Sequence, residues 1–342
     1  MKNLITVVIP TYNRPNEIAR LLTFLDDSGQ NLSILVLDGS NDLVGEENRK
    51  VCSNFSNVEH HKFPSNLHLG IRLTEGLRLV KTPYVLFCGD DDFVFPDAVD
   101  ECVSFLENNS EYAAAIGEVW ALRYFPNKPF VAKGIVLGND LDYGKSFSHE
   151  RFIQRALFYF AYTAIGSIPL FYAVRRTNQT LNAFSLVTSN IKYSSMELIT
   201  NGMLLIDGKV EKLSIPFGLR DYGSVTTRDP EREGTDLYIP LEDRSYMKPL
   251  LVDALMKKEK IGGELAEYLI DSVLRLWDDT SPVVDVHQES KLRMRLRALR
   301  FYFICIFGRL APTTMARILG ISPNIYSLLI KAHGRFTSRR SS

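Results

Sequence analysis

Three consecutive carboxylates, Asp90, Asp91 and Asp92, closely follow the apolar run YVLF at residues 84–87. The run has the composition of a strand that is buried on both faces of a sheet. Adjacent carboxylates repel one another, and burying them without partners is costly. Hard cations such as Mg²⁺ and Mn²⁺ bind one or two carboxylates together with phosphate oxygens. A metal shared with a diphosphate would explain the aspartate run, and so would a solvated acidic turn before the next helix.

Alternating strands and helices must position these aspartates. The apolar and β-branched runs predict strands at residues 4–10, 32–40, 57–64 and 83–92. The helical spacing of apolar residues predicts helices at 16–29, 69–81 and 96–109. Strand–helix alternation of this kind predicts an α/β domain with a mostly parallel sheet. Ligands of such sheets bind at the carboxyl ends of the strands, where both Asp38 and the aspartate run are expected.

The second half of the chain is less regular. Strands are predicted at residues 112–125 and 169–177, and an aromatic-rich helix at 150–164. Residues 196–216 predict a helix, a glycine-containing turn and a strand, and residues 218–234 a polar loop. From about residue 240 the sequence becomes helical.

The charge of the chain is balanced overall but unevenly distributed. It has 40 basic and 40 acidic residues, but residues 291–342 contain eleven Lys or Arg and no acid, which leaves 29 basic against 40 acidic residues elsewhere. Residues 291–310 alternate Arg with large apolar residues, a pattern typical of helices that lie on anionic membrane surfaces. The alternative is a helix that packs on the acidic body. No nucleic-acid-binding motif accompanies the charge, so nucleic acid is not expected as a partner.

The cysteines and the N-terminus predict a cytoplasmic protein. Cys52, Cys88, Cys102 and Cys305 show no paired spacing, which fits a reducing compartment. The apolar run at the N-terminus is short and ends at Pro10, unlike a signal peptide. No apolar run approaches the roughly 20 residues that span a bilayer.

Three ordered motifs carry a resemblance to a known family. VVIPTYNRP at residues 7–15, LVLDGSND at 35–42 and LFCGDDDFVFPDAV at 86–99 resemble the nucleotide-binding half of family 2 type inverting glycosyltransferases with the GT-A fold. A weaker similarity continues through residues 196–226. The resemblance implies a nucleotide-diphospho-sugar transferase domain over residues 1–235, with a nucleotide-binding half at 1–110 and an acceptor half at 111–235. Residues 236–342 would form a helical C-terminal region with a basic amphipathic tail.

The resemblance also implies a donor site and a metal site. The donor, most simply a UDP-sugar, would be bound by Pro10, Thr11, Tyr12, Arg14, Asp38, Asn66, Gly70, Asp90 and Asp91. Tyr12 would flank the base, and Asp38 would accept a hydrogen bond from it, although an Asx turn with Gly39 would also explain Asp38. Arg72 would meet the donor phosphate or, more simply, occupy a solvated helix position.

Mn²⁺ or Mg²⁺ would be held by Asp92 and Asp90. The family more often shows Asp-x-Asp-Asp, and its first aspartate would fall on Gly89 here. That departure favours Asp90 and Asp92 as the metal pair.

The catalytic base is expected near residue 197. Family members place an acidic pair at the start of a helix, but here the pair falls near residues 194–196 and only Glu197 is acidic. An inverting transferase needs one carboxylate to deprotonate the acceptor hydroxyl, and Glu197 is the candidate. The alternative is a first-turn residue that complements the helix dipole, and Asp221 and Glu118 are other candidate bases. Arg220 and Arg228 of the polar loop would meet the diphosphate or lie on a plain surface loop.

These residues together predict a metal-dependent inverting glycosyltransferase. It would move a sugar to a hydroxyl of a glycan or lipid-linked acceptor, in surface polysaccharide or lipid-linked glycan synthesis, at the inner face of the cell membrane. Two alternatives stay open. One is a nucleotidyltransferase of sugar phosphates, and the other is an inactive relative that only binds nucleotide or glycan.

Overall fold

The fold is built on one mixed sheet with helices packed around it. A computed structural model describes residues 4–124, 135–139, 146–163, 170–221 and 239–280. Its strands are β1 (Ile5–Thr11), β2 (Ser33–Asp38), β3 (Val58–Lys62), β4 (Tyr84–Phe87), β5 (Phe93–Val94), β6 (Tyr112–Tyr124), β7 (Ile135–Asn139), β8 (Val174–Arg176) and β9 (Lys209–Asp221). They are ordered β3-β2-β1-β4-β8-β6-β9-β5, and β7 pairs with β6. The predicted α/β architecture is confirmed.

The N-terminal half of the sheet is parallel. β1 pairs in parallel with β2 and β4, and β2 pairs in parallel with β3. Its central strands are apolar and buried on both faces, as parallel strands covered by helices must be. The register places Thr11 opposite Asp38. The carboxyl ends of these strands therefore form one edge, which carries all three sequence motifs.

The second half of the sheet brings distant segments to the same edge. β8 lies antiparallel between β4 and β6, β6 runs parallel to β9, and β9 runs antiparallel to β5. In the last pair Phe93 lies opposite Leu219. The residue before β5 is Asp92, so this pairing brings Asp92 to the end of β9, where Asp221 lies.

The helices connect these strands and cover the sheet. Those described are α1 (Pro15–Asp27), α2 (Asp42–Cys52), α3 (Leu69–Leu79), α4 (Pro96–Asn108), α5 (Phe152–Thr163), α6 (Thr177–Phe184), α7 (Tyr193–Asp207), α8 (Leu241–Glu259) and α9 (Gly263–Thr280). The sequence did not predict α2. Its buried face consists of Gly45, Asn48 and Cys52, which give no apolar periodicity. Its N-cap is a local signal, because the side chain of Asn41 accepts a hydrogen bond from the Val44 amide at 3.0 Å.

The strand predicted at residues 169–177 is wrong over most of its length. Leu170–Tyr172 forms a 3-10 turn, and only Val174–Arg176 is extended as β8 before α6 begins at Thr177. Of the residues that suggested a longer strand, Leu170 and Ala173 lie in the core, and Phe171 and Tyr172 are half-buried. This turn brings Tyr172 towards the aspartate run.

The C-terminal helices pack on α7 rather than standing apart from the sheet domain. Leu251 of α8 contacts α7 so closely that a Cβ added at Gly202 would lie 3.0 Å from its Cδ2. Asp243, in the first turn of α8, accepts a hydrogen bond from the Lys192 amide at 3.0 Å and another from the Ser195 hydroxyl. The carboxylate of α8 thereby satisfies the N-terminus of α7, whose N-cap side chain makes no such bond. Residues 291–342, with the basic tail, lie outside the described residues.

In the part of the chain that the structure describes, no helix combines the length and apolarity needed to cross a bilayer. Cys52, Cys88 and Cys102 are buried free thiols, whereas Cys305 lies outside the described residues.

The carboxyl of Asp207, at the end of α7, gives the fold a pH dependence. Burial raises its pKa from the ordinary 3.8 to about 6, against the opposing charge of Lys258. The folded protein therefore binds this proton more tightly than the unfolded chain does. The resulting stabilisation is fully present below pH 3.8 and is lost as pH rises through 6.

We expect Asp207→Asn, which cannot ionise, to remove this penalty. The variant should gain about 2 kcal/mol over wild type in unfolding free energy at pH 8, and the gain should shrink towards pH 4. Urea denaturation at both pH values measures it. Asp253→Asn, on the exposed face of α8, controls for the loss of one negative charge. A gain that is the same at both pH values would contradict the assignment.

Candidate functional site

The loop after β1 neutralises the start of the aspartate run. The hydroxyl of Thr11 donates to Asp90 Oδ2 at 2.7 Å. Nη1 of Arg14 donates to Asp90 Oδ1 at 2.7 Å and to Asp91 Oδ2 at 2.8 Å. Arg14 is only 7% exposed, so these are buried, charge-assisted bonds. The sequence placed all four residues in one site, and the structure brings them into direct contact.

Different groups hold Asp92. The Tyr172 hydroxyl donates to Oδ2, and the Asp221 amide donates to Oδ1 at 2.8 Å. Burial raises the pKa of Asp92 to about 6, aided by the charge of Asp91 and opposed by that of Arg220. Burial likewise raises the pKa of Asp90 to about 6, even though the charge of Arg14 opposes it. The protein therefore only partly compensates the negative charge of the run.

Two further arginines tie the run to distant elements. Arg20 of α1 donates to Asp221 Oδ2 at 2.8 Å and to the Asp91 carbonyl at 2.6 Å, and its guanidinium lies 4.8 Å from the centre of the Phe93 ring. The guanidinium of Arg220 lies 5.3 Å from the centre of the Tyr172 ring. The sequence placed Arg220 near the donor but missed Arg20. Arg228 lies outside the described residues.

Gly89 has no room for the aspartate that the family more often carries there. A Cβ at this position would lie 2.9 Å from Asp92 Oδ2 and 3.1 Å from Asp91 Oδ1. A fourth carboxylate would also add negative charge to a cluster whose negative charge the protein only partly compensates. The departure from Asp-x-Asp-Asp is thus part of how this cluster packs.

Asp38 is fully buried and hydrogen-bonded by the protein itself. Its Oδ1 accepts from the Ser40 amide at 2.7 Å, which is the Asx turn considered above. Its Oδ2 accepts from Asn48 at 3.1 Å and lies 3.0 Å from His60 Nε2. Burial alone would raise the pKa of Asp38, but the bonds from His60, Ser40 and Asn48 lower it to about 2. This geometry favours a structural role over the direct contact to a base that the resemblance implied.

Arg72 is buried, so the solvated helix position favoured from the sequence is wrong. Its Nη1 donates to the Thr11 carbonyl at 3.0 Å, and that carbonyl also accepts from the Gly39 amide at 3.0 Å. A Cβ at Gly39 would lie 1.7 Å from Arg72 Nη1, so only glycine leaves room for the guanidinium. The glycine that follows Asp38 was the available signal for this close approach.

The remaining donor-site candidates differ in their exposure. Tyr12 is 47% exposed beside the buried cluster, as a residue that flanks a ligand must be. Pro10 is half-buried next to Thr11 in β1, and Asn66 is exposed. A Cβ at Gly70 would lie 2.9 Å from Met196 Sδ, so Gly70 lets α3 approach α7. The structure therefore gives Gly70 a packing role.

Glu197 lies in the second turn of α7, since the helix begins at Tyr193, and so the alternative of a first-turn residue is wrong. The neighbouring Met196 is fully buried, whereas Glu197 is only half-buried. Of the other candidate bases, Asp221 is paired with Arg20 at 2.8 Å. Glu118 lies in β6, opposite Pro216 of β9.

Several buried polar atoms at this edge have no hydrogen-bond partner among the described residues. They are Nε and Nη2 of Arg14, Nε of Arg72 and Oδ1 of Asn48. Leaving such a group unpaired costs about 1–3 kcal/mol. Three of the four atoms are guanidinium donors, so an anionic ligand is the partner that fits them.

Asp91 and Asp92 have the chemistry that a divalent cation requires. A carboxylate oxygen that accepts one hydrogen bond retains a lone pair for a metal, and Asp91 is the more exposed of the two. Within the described ranges, no cluster of three or more His, Cys, Asp or Glu side chains would hold a metal by itself. A divalent cation needs only one or two protein carboxylates when phosphate and water complete its shell. By the same criterion Asp90 also retains a lone pair on each oxygen, since its two oxygens accept one hydrogen bond each, from Thr11 and from Arg14.

Comparison with known proteins gives one family and one set of similar structures. Residues 6–160 match the family model described as Glycosyl transferase family 2. No curated protein matches the sequence.

Several of the similar solved structures are of S. aureus TarS. TarS 1–349 has a TM-score of 0.55 at 14% identity, over 98% of this chain and 87% of that chain. TarS 1–349 in complex with UDP-GlcNAc has a TM-score of 0.57 at 14% identity, over 96% of this chain and 90% of that chain. A third structure, of TarS without stated residue limits, has a TM-score of 0.54 at 14% identity. The match covers 98% of this chain but only 53% of that longer chain. At this identity the likeness shows the fold.

Arg14 should be the residue on which the cluster's stability depends most. Arg14→Gln leaves two buried carboxylates without their counter-ion, so we expect a loss of about 3 kcal/mol in unfolding free energy at pH 8. Guanidinium denaturation measures it. Arg49→Gln breaks an exposed pair with Glu46 on α2 and is the matched control, expected to change stability little. Equal losses of unfolding free energy in the two variants would show that the buried ion pairs of Arg14 stabilise the fold no more than an exposed ion pair does.

Proposed function

Residues 6–160 form a glycosyltransferase family 2 domain with the GT-A fold, and from this premise we propose that the protein transfers a sugar from a UDP-sugar to a hydroxyl of a glycan acceptor. The transfer inverts the anomeric carbon and uses Mn²⁺ or Mg²⁺. The observation that carries the proposal is the aspartate run at the carboxyl edge of the sheet, which is cross-linked by Thr11 and Arg14 and only partly neutralised.

The donor binds at the carboxyl ends of β1, β2 and β4. Two arginines with buried, unpartnered N–H groups, Arg14 and Arg72, support a site for an anion such as a diphosphate. Tyr12 is exposed beside them and flanks the base. One structure of TarS 1–349 is a complex with UDP-GlcNAc and another a complex with UDP, which supports uridine as the base.

Asp91 and Asp92 would hold the metal, and Asp90 would orient the loop through Arg14. When bound, the cation supplies positive charge at the leaving diphosphate. The chain's own groups keep the two carboxylates in place, because Tyr172 and the Asp221 amide fix Asp92 while Arg14 fixes Asp91.

Glu197 acts as the general base. Its carboxylate takes the proton of the acceptor hydroxyl as that oxygen attacks the anomeric carbon of the donor. The bond between this carbon and the diphosphate oxygen breaks in the same step, and the nucleoside diphosphate leaves with the bonding electrons. A single displacement of this kind inverts the configuration without a covalent intermediate.

Other parts of the proposal rest on sequence alone. The division into a nucleotide-binding half (1–110), an acceptor half (111–235) and a helical region (236–342) follows the motifs. A lipid-linked acceptor and contact of residues 291–342 with the inner face of the membrane would account for the basic tail of a cytoplasmic enzyme. The nucleotidyltransferase alternative lacks the Gly- and basic-rich first loop that such enzymes carry, since the loop here is PTYNRP.

Donor binding tests the first half of the proposal. A UDP-sugar with Mn²⁺ should raise the melting temperature by several degrees, since ligand at about 100 times its Kd stabilises by about 2.7 kcal/mol. GDP-, dTDP- and CMP-sugars serve as comparisons. Asp91→Asn and Asp92→Asn should lose the metal-dependent part of the shift, and Asp42→Asn on α2 controls for charge. Shifts that are independent of metal and of both aspartates would remove the metal from the proposal.

Turnover tests the second half. Glu197→Gln should reduce kcat by about 10²–10⁴-fold while the donor Kd stays unchanged, because the amide cannot take a proton. Glu118→Gln and Asp221→Asn, assayed in parallel, show whether another carboxylate carries this role. NMR of the product's anomeric signal shows the stereochemistry. Wild-type binding of donor without transfer to any glycan acceptor would favour the binding-only relative.

A further inference from the structure

Arg175 of β8 is a buried charge without a counter-ion at hydrogen-bond distance. It is 1% exposed, and none of the salt bridges among the described residues includes it. Burial lowers its pKa to about 10. A buried guanidinium is costly unless its N–H groups are used, so its contacts indicate what it does.

Those contacts join two elements. Nε and Nη2 both donate to the Leu170 carbonyl, at 3.1 Å and 2.5 Å, and this carbonyl opens the 3-10 turn Leu170–Tyr172. Nη2 also donates to Asn201 Oδ1 of α7 at 3.1 Å. The amide group of Asn201 in turn donates to the Tyr159 hydroxyl of α5 at 2.9 Å. One guanidinium therefore fixes the turn relative to the helix.

The two joined elements carry the two sides of the proposed reaction. The turn carries Tyr172, whose hydroxyl donates to Asp92 on the donor side. The helix carries Glu197, four residues and about one turn before Asn201, on the same face. Burial lowers the pKa of Arg175, and the charges of Tyr159 and Glu197 oppose this.

We propose that Arg175 is a positioning residue that sets the spacing between Tyr172, and through it Asp92, and the base Glu197. The positioning role rests on the proposed function, because the spacing has a purpose only if Asp92 and Glu197 have the roles proposed above. A lysine keeps the charge but cannot bond both Leu170 and Asn201 in the same fork geometry. A one-ångström misplacement of reacting groups is enough to slow a reaction about hundredfold.

Arg155 of α5 is the matched control. It is 3% exposed, and it also donates to backbone carbonyls, including that of Leu205 on α7 at 2.8 Å. Leu205 lies eight residues beyond Glu197, so Arg155 holds the far end of the same helix. Arg155→Lys should therefore reproduce the loss of a buried arginine fork without changing the spacing at the site.

The test compares Arg175→Lys with Arg155→Lys in the full chain, using UDP-sugar, Mn²⁺ and a glycan acceptor. At equal loss of melting temperature, we expect Arg175→Lys to lower kcat about tenfold to hundredfold more than Arg155→Lys. The KM of the acceptor should change little. Equal effects of the two variants on kcat would overturn the proposal.

A double-mutant cycle with Tyr172→Phe separates positioning from general support. If Arg175 acts through the turn, the double variant should lose little more kcat/KM than the worse single variant, whereas additive losses would contradict the link. Should Arg175→Lys fail to fold, Asn201→Ser breaks the α7 end of the same link and must show the same coupling to Tyr172→Phe. If the wild-type protein binds no nucleotide-sugar donor, the proposed function and the positioning role are both overturned. If the wild-type protein turns over normally but the effects of the two substitutions are additive, only the positioning role is overturned.

Discussion

The structure depends on neutralising three adjacent carboxylates at the end of a buried strand. No local segment does this, because the partners of the carboxylates come from the loop after β1, from the turn before β8 and from the end of β9. Arg20 of α1 adds a bond to the main-chain carbonyl of Asp91. The order of the sheet follows from the same requirement, since β5 must pair with β9 for the Asp221 amide to reach Asp92. The result is a buried site whose negative charge the protein only partly compensates, which suits the anionic ligand and the cation that we propose.

Two buried carboxylates at this edge, those of Asp38 and Asp92, show how the surroundings of a carboxylate determine its pKa and its role. Asp38 accepts three protein hydrogen bonds, its pKa falls to about 2, and it needs nothing more from a ligand. Asp92 accepts two, yet its pKa rises to about 6 because burial and the neighbouring Asp91 dominate. The first carboxylate is therefore suited to fixing the β2 loop against α2 and β3. The second retains the capacity to gain from a positive charge, and so it is the one we assign to the metal.

The sequence predicted the strand–helix alternation and the parallel half of the sheet, because both follow from contiguous segments with strong apolar periodicity. The family resemblance implied that Thr11, Arg14 and the aspartate run belong to one site. It failed where the signal was not periodic or not local. Helix α2 has a buried face of glycine, asparagine and cysteine, and the apolar residues around Leu170 form a turn. The helical pattern around Arg72 suggested that its side chain is solvated. Its burial instead depends on the absence of a side chain at Gly39, 33 positions away. Tyr172 and Arg20 reach the aspartates only through tertiary pairing, which spacing along the chain does not encode.

The acceptor side raises a different physical question, because the family resemblance implies an acidic pair where this sequence has only Glu197, the base that we propose. In that proposal no second carboxylate lies beside Glu197 to take over its role. Its position relative to the donor therefore has to be set accurately. The protein surrounds α7 with unusually specific polar contacts: Asp243 satisfies its N-terminus from α8, and Arg175 joins its middle to the turn that carries Tyr172. Such contacts are costly to bury and add little stability over apolar packing. Their value lies in allowing one arrangement of the helix, which is what the proposed base Glu197 would require.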